Sequence, residues 1–400
     1  MTAASALEGV RVLDLTRVVA GPWATMMLSD MGADVIKVES PKDGDYTRRW
    51  GAALPGGERP YFLSTNRNKR SVAIDFSTPQ GQKLVRELAI QSDVLVENYL
   101  TGTLARYGLD WETLQELNPR LIYCSVSGYG RTGPMKDRPG FDPIVQGESG
   151  LMSVTGEIEG RPMKIGVPLV DIMAGMYAAY AVSSALIARS RTKRGQFIDI
   201  SLLDVALGNL GSVGANALLL NQVPGRYANA HADVVPFEMY PTSDGHLNLA
   251  VGNDAQFMRL CVKVLERPDL AASGKFTTND LRRANRAELD NVLAACFREA
   301  SRDYWLSKLA AEGIPAGNVR NALEALNSPE AAARGMVFEV DHPREGRLRL
   351  VSSPLKLSDT PVVPPKAPPV FGQHTVDVLV ERLRLDTNEI AGLRAAGVVA

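Results

Sequence analysis

The first half of the chain alternates short apolar runs with segments whose apolar residues recur at helical spacing, and this alternation restricts the fold more than any other feature. The apolar runs, each rich in Val, Ile or Leu, are predicted strands: Val10–Leu15, Asp34–Glu39, Ser71–Ile74, Asp93–Glu97 and Leu121–Val126. The segments between them are predicted helices: Trp23–Met31, Pro79–Ile90 and Trp111–Leu117. Apolar strands separated by helices predict a parallel sheet covered on both faces, a Rossmann-like α/β fold that holds ligands at the carboxyl ends of its strands. No GxGxxG follows the first strand, so nicotinamide or flavin binding lacks its best support.

The second half predicts a further part of the large α/β domain and then a smaller α+β domain. Residues Asp171–Arg189 are mostly small and predict a tightly packed helix, followed by a strand at Gln196–Leu202 and a helix at Leu203–Leu220. Turn-forming residues at Gln222–Pro236 indicate the crossing into the smaller domain. Within and beyond it we predict strands at Leu247–Val251, Val337–Val340 and Leu348–Val351, helices at Asp254–Leu265, Ala287–Ala300, Arg302–Ala311, Asn321–Leu326 and Thr375–Leu393, and a Pro-rich linker at Thr360–Val370. The predicted boundaries are 1–221 for the large domain, 222–330 for the small one, and 331–400 for a return segment that completes the large domain.

Composition excludes several classes of partner. A chain of 400 residues fits two domains, and its 45% hydrophobic content is that of a globular protein. A formal net charge of −1 argues against a nucleic-acid or anionic-membrane partner. Three widely spaced cysteines suit a reducing compartment, and we find neither a signal peptide nor an uninterrupted apolar stretch of membrane-spanning length. We therefore expect a cytoplasmic protein.

Asp171 is the first candidate for a functional carboxylate. It follows Gly166–Val170 at the predicted start of a helix, where an aspartate commonly serves as the N-cap of the backbone N–H groups. Alternatively, the helix N-terminus holds the carboxylate ionised, and an ionised carboxylate is a competent nucleophile toward a thioester. The spacing alone leaves both interpretations open.

A basic loop, Asn66–Ser71, precedes the third predicted strand and includes Arg70. It is either a solvated turn or a clamp for the phosphates of a cofactor, because arginine offers planar donors to phosphate oxygens. The same alternatives apply to Arg106, which follows the strand-end residues Asn98 and Tyr99. None of the four histidines has a partner at HExxH or HxH spacing, and no GxSxG is present, so neither a metal site nor a serine hydrolase is predicted.

Taken together, a series of ordered motifs resembles the class III CoA-transferases, the CaiB/BaiF or formyl-CoA transferase family. The resemblance extends from about residue 6 to the C-terminal tail. The motifs are Val12–Arg17 with Ala20–Pro22, Gly32–Glu39, Asn68–Ser71, Asp93–Tyr99, Asn118–Ile122 leading to Ser127–Gly130, Gly140–Pro143, Arg194–Gln196 and Gly372–Thr375.

The resemblance implies roles for individual residues. It identifies Asp171 as the catalytic aspartate and places Asn98, Tyr99 and Arg106 against CoA. Val18, Val19 and Ile74 would line the path of the adenosine and pantetheine, with Arg70 in the basic loop as a further CoA contact. Arg138 and Phe141 fall near the pantetheine and the active site. Val19 replaces a glutamine of the formyl-CoA branch, and the four-glycine loop of that branch is missing, so an oxalate and formate pair is not expected.

The implied activity is transfer of CoA between carboxylic acids through an aspartyl anhydride and an aspartyl-CoA thioester, with acyl-CoA as substrate and no tightly bound cofactor. The overall pattern resembles the branches that use succinyl-CoA with dicarboxylic acids, and His231 is a candidate for the distal carboxylate. The family also implies an interlocked homodimer. Two alternatives remain: an α-methylacyl-CoA racemase, which needs a second acid–base residue where this chain has Phe141, and a non-catalytic acyl-CoA-binding protein.

Overall fold

The computed structural model describes residues 5–400. The strands are β1 (Arg11–Asp14), β2 (Asp34–Glu39), β3 (Lys69–Ala73), β4 (Val94–Glu97), β5 (Ile122–Ser127), β6 (Gln196–Ser201), β7 (Phe237–Thr242), β8 (Gly245–Ala250), β9 (Ala316–Asn318), β10 (Val337–His342) and β11 (Gly346–Val351). The helices are α1 (Ala20–Asp30), α2 (Pro60–Leu63), α3 (Pro79–Ile90), α4 (Trp111–Leu117), α5 (Asp142–Glu148), α6 (Leu169–Thr192), α7 (Leu202–Gly208), α8 (Gly211–Leu220), α9 (Asp254–Arg259), α10 (Pro268–Ala272), α11 (Asn279–Ala284), α12 (Arg286–Phe297), α13 (Arg302–Ala311), α14 (Ala322–Leu326), α15 (Pro329–Ala333), α16 (Thr375–Leu383) and α17 (Thr387–Ala395). One π-helical turn, Leu260–Val264, follows α9.

Six strands form one sheet in the order β3-β2-β1-β4-β5-β6, and every neighbouring pair is parallel. This confirms the parallel sheet that the alternating pattern predicts. The strand order reverses between β1 and β4, which creates a crevice at the carboxyl ends of these two strands. Open α/β sheets hold their ligands at such a crevice.

Both faces of the sheet are buried. Because successive residues of a strand point to opposite faces, neighbouring residues belong to different core clusters. Val12 of β1 belongs to a core cluster that includes Ala174 and Ala178 of α6. Its neighbour Leu13 belongs to a second cluster that includes Leu88 of α3 and Leu379 of α16. The two clusters explain why the predicted strands are apolar throughout.

Helix α6 is the longest helix of the described chain, and it packs along α1. By length and composition α6 alone could cross a membrane, as could α7 and α8 together if their 76° bend is counted as one span. The sequence has no uninterrupted apolar stretch of that length, because Asp171 and Arg189 interrupt the apolar residues of α6. In the structure Val170, Ala174, Ala178 and Val182 on one side of α6 are buried in the core.

The outer edge of β3 is covered by the C-terminal part of the chain. The backbone N–H of Asn68 donates to the carbonyl of Lys366, and that of His374 donates to Ser71. Further along, the N–H of Ala400 donates to the carbonyl of Ala73. An uncovered parallel edge would present these polar groups to other chains, so the C-terminal segment closes the sheet on this side.

Several helical segments differ from the sequence prediction, including Asp254–Leu265, where the α-helix ends at Arg259 and a π-helical turn follows. Helix α6 begins at Leu169, two residues before Asp171, so Asp171 lies in the first turn and is not the N-cap. The single helix expected at Leu203–Leu220 is two helices, because the chain breaks after Gly208 and resumes at Gly211 with a positive φ of 55°. The predicted C-terminal helix is likewise divided, with Arg384 in a left-handed conformation at the end of α16.

The described chain forms two compact units. The larger comprises the residues up to Met152, Lys164–Gln222 and Pro329–Ala400, and the smaller comprises Ser153–Met163 and Val223–Ser328. Within the smaller unit, β7, β8 and β9 form an antiparallel sheet. The same unit has its own core, centred on residues such as Tyr240, Phe257 and Phe297.

The contact between α1 and α6 gives a test of the packing. A Cβ added at Gly175 of α6 would lie 2.7 Å from the backbone oxygen of Ala20 and 2.9 Å from Cβ of Trp23. Gly175→Ala should therefore lower the free energy of unfolding by about 1–3 kcal/mol, as overpacking of a core does, in urea denaturation. Gly392→Ala in α17 is the matched control, because its Cβ would enter open space and should stabilise the helix slightly. Equal stability of Gly175→Ala and the parent chain would contradict this packing.

Candidate active site

A cleft of about 250 Å³ opens at the carboxyl ends of β1, β4 and β5, at the point where the strand order reverses. The segments that follow these strands contribute most of its wall. The cleft is lined by Arg17, Val18, Val19, Ala20, Tyr46, Asn98, Tyr99, Leu100, Thr101, Val126, Ser127, Gly128, Arg131, Lys136, Arg138, Pro139, Gly140, Phe141, Asp171 and Leu202. The structure thus brings together seven residues that the sequence singles out: Val18, Val19, Asn98, Tyr99, Arg138, Phe141 and Asp171.

Asp171 reaches the cleft because another aspartate caps its helix. Oδ1 of Asp142, in α5, accepts the backbone N–H groups of Val170 at 2.7 Å and Asp171 at 3.2 Å. The other oxygen, Oδ2, accepts from the side-chain amide of Gln146 at 2.6 Å, so the capping carboxylate is itself held in place. The Asp171 side chain therefore has no capping duty. Within residues 5–400, no hydrogen bond to its carboxylate is present.

The environment of Asp171 favours its neutral form. Burial raises the pKa of Asp171 from an ordinary 3.8 to about 7, and the charge of Asp142 contributes to the rise. A carboxylate with such a pKa is a stronger nucleophile than a solvated one while still being ionised in a large fraction near neutral pH. The pKa of Tyr61 is raised by burial and by the charges of Asp171 and Asp142. Its ring meets Trp50 edge-on, with the centroids 5.4 Å apart.

Asn98 uses its side chain to hold the neighbouring loop. Its Oδ1 accepts the backbone N–H of Arg17 at 2.9 Å, and its Nδ2 donates to the Arg17 carbonyl at 2.7 Å. The Arg17 guanidinium lies over the Tyr99 ring at 4.2 Å and the Tyr46 ring at 5.0 Å from the centroids. Asn98 therefore lines the cleft as the sequence predicts, but its amide is engaged with the protein backbone.

A second cleft, also of about 250 Å³, is lined by Ile74, Phe76, Tyr107 and other residues. Arg17, Tyr46 and Tyr99 line both clefts, so the two are neighbours separated by these side chains. Arg106 follows Tyr99 closely in sequence, and its guanidinium lies 5.9 Å from the centroid of the Tyr107 ring. The structure therefore places Ile74 in this second cleft and Arg106 beside one of its lining residues.

The cations of the basic loop Asn66–Ser71 are engaged in ion pairs within the protein, so the loop is not a solvated turn and is not available to a ligand in full. Lys69 is fully buried and pairs with Asp14 at 3.1 Å, and Arg67 pairs with Asp30. Arg70 pairs with Asp34 at 2.6 Å and Glu381 at 2.8 Å, and it lines a different cavity, beside the starts of β2 and β3. The structure does not bring Arg70 to the cleft of Asp171, because the start of a parallel strand lies at the opposite edge of the sheet from its end.

His231 lies in the smaller unit. Its ring stacks on Phe237 with the centroids 5.4 Å apart, and Nδ1 accepts the backbone N–H groups of Asp233 at 3.0 Å and Val234 at 3.1 Å. These contacts use one ring nitrogen to shape the local turn. A role for His231 toward a substrate stays a prediction.

Sequence reasoning missed several residues at the site. Arg17, Arg131 and Lys136 give the cleft three cations besides Arg138, although the chain as a whole is nearly neutral. Arg131 is held by Glu97, with its NH2 group 2.8 Å from Oε1. Arg17 and Asp142 lie inside the family motifs Val12–Arg17 and Gly140–Pro143, so the sequence carried a signal for both. No feature of the sequence connects Tyr61 with Asp171. The cleft thus combines a carboxylate of raised pKa with positive charge suited to a polyanionic ligand.

The chain resembles known proteins over nearly its whole length. The family model described as CoA-transferase family III matches residues 7–375. The succinyl-CoA:glutarate CoA-transferase of Homo sapiens is 42% identical over 393 residues, which cover 98% of this chain and 90% of the human protein. The succinate–glutarate CoA-transferase of Agrobacterium fabrum is 43% identical and covers 94% of this chain and 95% of its own length. The crystal structure of a CaiB/BaiF family protein from Brucella suis superimposes with a TM-score of 0.86 at 40% identity, covering 95% of this chain and all of the other.

The raised pKa of Asp171 predicts a particular dependence of stability on pH. The folded protein binds the proton of Asp171 more tightly than the unfolded chain does. The stability gained from this bound proton is fully present below about pH 4 and is lost as pH rises to about 7, where ionised Asp171 destabilises the fold. Asp171→Asn should therefore be more stable than the parent chain above pH 7, by at least about 1 kcal/mol, and the difference should shrink toward pH 4. Urea denaturation at a series of pH values measures it. A parent chain that is the more stable of the two at pH 8 would contradict the assigned environment.

Proposed function

The chain belongs to CoA-transferase family III, and we propose that it transfers CoA from succinyl-CoA to a dicarboxylic acid, with glutarate as the first candidate acceptor. The transferase activity follows from the family and from relatives that are CoA-transferases. The proposed acids rest on the names of two relatives that are more than 40% identical to this chain. The observation that carries the proposal is a carboxylate, Asp171, with a pKa of about 7 in a cationic cleft.

We propose that Asp171 is the nucleophile. Its carboxylate attacks the thioester carbonyl of succinyl-CoA, which forms a mixed anhydride and releases CoA as a thiolate. The thiolate attacks the aspartyl carbonyl of the anhydride, which forms an aspartyl-CoA thioester and releases succinate. The acceptor carboxylate attacks that thioester and releases the thiolate again. The thiolate then attacks the acceptor carbonyl of the new anhydride, giving the new acyl-CoA and free Asp171.

The charges of the cleft support this sequence. Succinyl-CoA and its acceptor both bring negative charge, and each attack develops an oxyanion, so cations near the carboxylate lower the energy of the bound states and intermediates. Arg17, Arg131, Lys136 and Arg138 provide this charge. Arg138 is itself neutralised in part by Glu148, whose carboxylate lies 2.7 Å away. Arg131 is neutralised in the same way by Glu97, 2.8 Å away. We therefore expect Arg17 and Lys136 to supply most of the attraction for the phosphates and acids.

Neither alternative from the sequence has support of the same kind. A racemase needs a second acid–base group opposite the aspartate, and the position that the family's isomerases use for it is Phe141, whose side chain cannot carry a proton. A protein that only binds acyl-CoA would have no use for a carboxylate with a raised pKa. CoA transfer is consistent both with a phenylalanine at position 141 and with the raised pKa of Asp171.

The transfer proposal is tested with succinyl-CoA and glutarate, with mass spectrometry detecting glutaryl-CoA. Asp171→Asn and Asp171→Ala should lose at least about a thousandfold in kcat, as enzymes do when a covalent nucleophile is removed, while CoA still binds in calorimetry. Asp377→Asn is the matched control, because Asp377 is an exposed carboxylate in the first turn of α16 and should keep full activity. Deuterium uptake at the α-carbon of an acyl-CoA without acyl exchange would replace this proposal with isomerisation.

We also propose that the chain works as a homodimer, whose interlocked form the family implies. Large apolar side chains of α6 and α8 are exposed in the single chain, with exposed fractions of 72% for Tyr180, 86% for Leu218 and 84% for Leu219. Large apolar side chains with this degree of exposure are typical of surfaces that bind another protein. Light scattering coupled to size-exclusion chromatography should give twice the 43.2 kDa mass of one chain. A monomeric mass at micromolar concentration would contradict the dimer.

A further inference from the structure

The loop between β1 and α1 reaches the cleft in a conformation that its sequence does not favour. This loop, Thr16–Val18, lines the two neighbouring clefts through Arg17 and contributes Val18 to the wall around Asp171. Val18 has a φ of 72°. A β-branched residue rarely adopts a positive φ, because its side chain crowds the backbone there, so the loop must be held by contacts elsewhere.

Side chains hold this loop at nearly every backbone group. The N–H of Thr16 donates to Oδ1 of Asp14 at 2.8 Å, and its carbonyl accepts from Nζ of Lys37 at 2.7 Å. Asn98 holds both backbone groups of Arg17, as described above. The N–H of Val18 itself donates to Oδ1 of Asp45 at 3.3 Å.

Two of these side chains form one buried ion pair. Nζ of Lys37 lies 3.0 Å from Oδ2 of Asp45, and neither side chain is exposed to solvent. Asp45 is oriented further by Thr47, whose N–H and hydroxyl donate to Oδ1 at 3.0 and 2.8 Å. Burial alone would lower the pKa of Lys37, but the charges of Asp45, Asp14 and Glu39 raise it, so the pair stays ionised. The ionised pair therefore holds two backbone groups of the loop, the carbonyl of Thr16 and the N–H of Val18.

A buried ion pair is a poor source of stability, because its desolvation offsets most of its attraction and apolar replacements are often neutral or better. In this structure the pair instead fixes the position of the loop through hydrogen bonds to its backbone. We propose that Lys37 and Asp45 are positioning residues that hold Thr16–Val18 in the strained conformation required for binding coenzyme A. The inference rests on the proposed function in one respect, that the cleft of Asp171 is where CoA binds. A displaced loop would move Val18 and Arg17 together and so disturb both clefts.

The test compares CoA binding with stability in a variant that removes both charges at once. Lys37→Met/Asp45→Ala leaves no unpaired charge from this pair in the interior, so the chain should fold with little change in Tm. Calorimetric titration with coenzyme A should give a Kd raised about tenfold, within the range of energies that one strained residue stores. Arg189→Met/Asp93→Ala removes another largely buried ion pair, at the opposite edge of the sheet, and should leave the Kd unchanged. Lys37→Met/Asp45→Asn, which also leaves no charge of this pair unpaired and keeps the shape of the Asp45 side chain, replaces the double variant if that does not fold, and it should likewise raise the Kd.

A second background separates positioning from a general structural role. Glycine adopts a positive φ without crowding, so in the Val18→Gly background the loop no longer needs to be forced. The same double substitution should then raise the Kd for CoA less than about threefold relative to Val18→Gly alone. An equal loss in both backgrounds, or undiminished CoA binding by the double variant, overturns the positioning role. Failure of the parent chain to bind CoA would instead overturn the proposed function, and this inference with it.

Discussion

The capping of α6 by Asp142 is the interaction on which the site depends. The first turn of a helix leaves backbone N–H groups without partners, and a carboxylate in that turn would ordinarily satisfy them. Asp142 takes over that duty for Val170 and Asp171, and its own position is secured by Gln146. Asp171 is thereby released toward the cleft with a second negative charge nearby. The same interaction therefore supplies both the orientation of the proposed nucleophile and part of its raised pKa.

Most of the large sheet could be predicted from the sequence, because strands buried on both faces leave a continuous apolar signal. Val12 and Leu13 are both apolar since each faces a different core cluster. The helix boundaries were harder to predict. The break between α7 and α8 falls at Gly208–Gly211, whose glycines were included in an Ala/Leu/Gly-rich helix although glycine is a poor helix former, and Gly211 has a positive φ there. The start of α6 depends on a cap supplied by Asp142, 28 and 29 positions before the two N–H groups that it accepts, and local sequence pattern does not reveal such a distant cap.

The residues of the candidate site could likewise be predicted only in part. The family resemblance implied that Asp171 and residues after β1 and β4 serve one site, and the strand-end residues do meet there because the carboxyl ends of parallel strands share one edge of a sheet. The basic loop was harder, since Arg67 and Lys69 are as charged as any ligand-binding residue and yet form buried ion pairs with Asp30 and Asp14. Residue type indicates what a side chain can bind. Only the fold shows whether the protein has already supplied the partner.

The closure of the β3 edge by Lys366, His374 and Ala400 has a consequence for how the chain is made. During translation β1 to β6 emerge long before the last residues leave the ribosome. Until the segment Lys366–Ala400 is made, the β3 edge of the nascent sheet is unpaired and open to pairing with neighbouring chains. The segment Lys366–Ala400 closes this edge, so any residues attached after Ala400 would begin beside the hydrogen bond between Ala400 and Ala73.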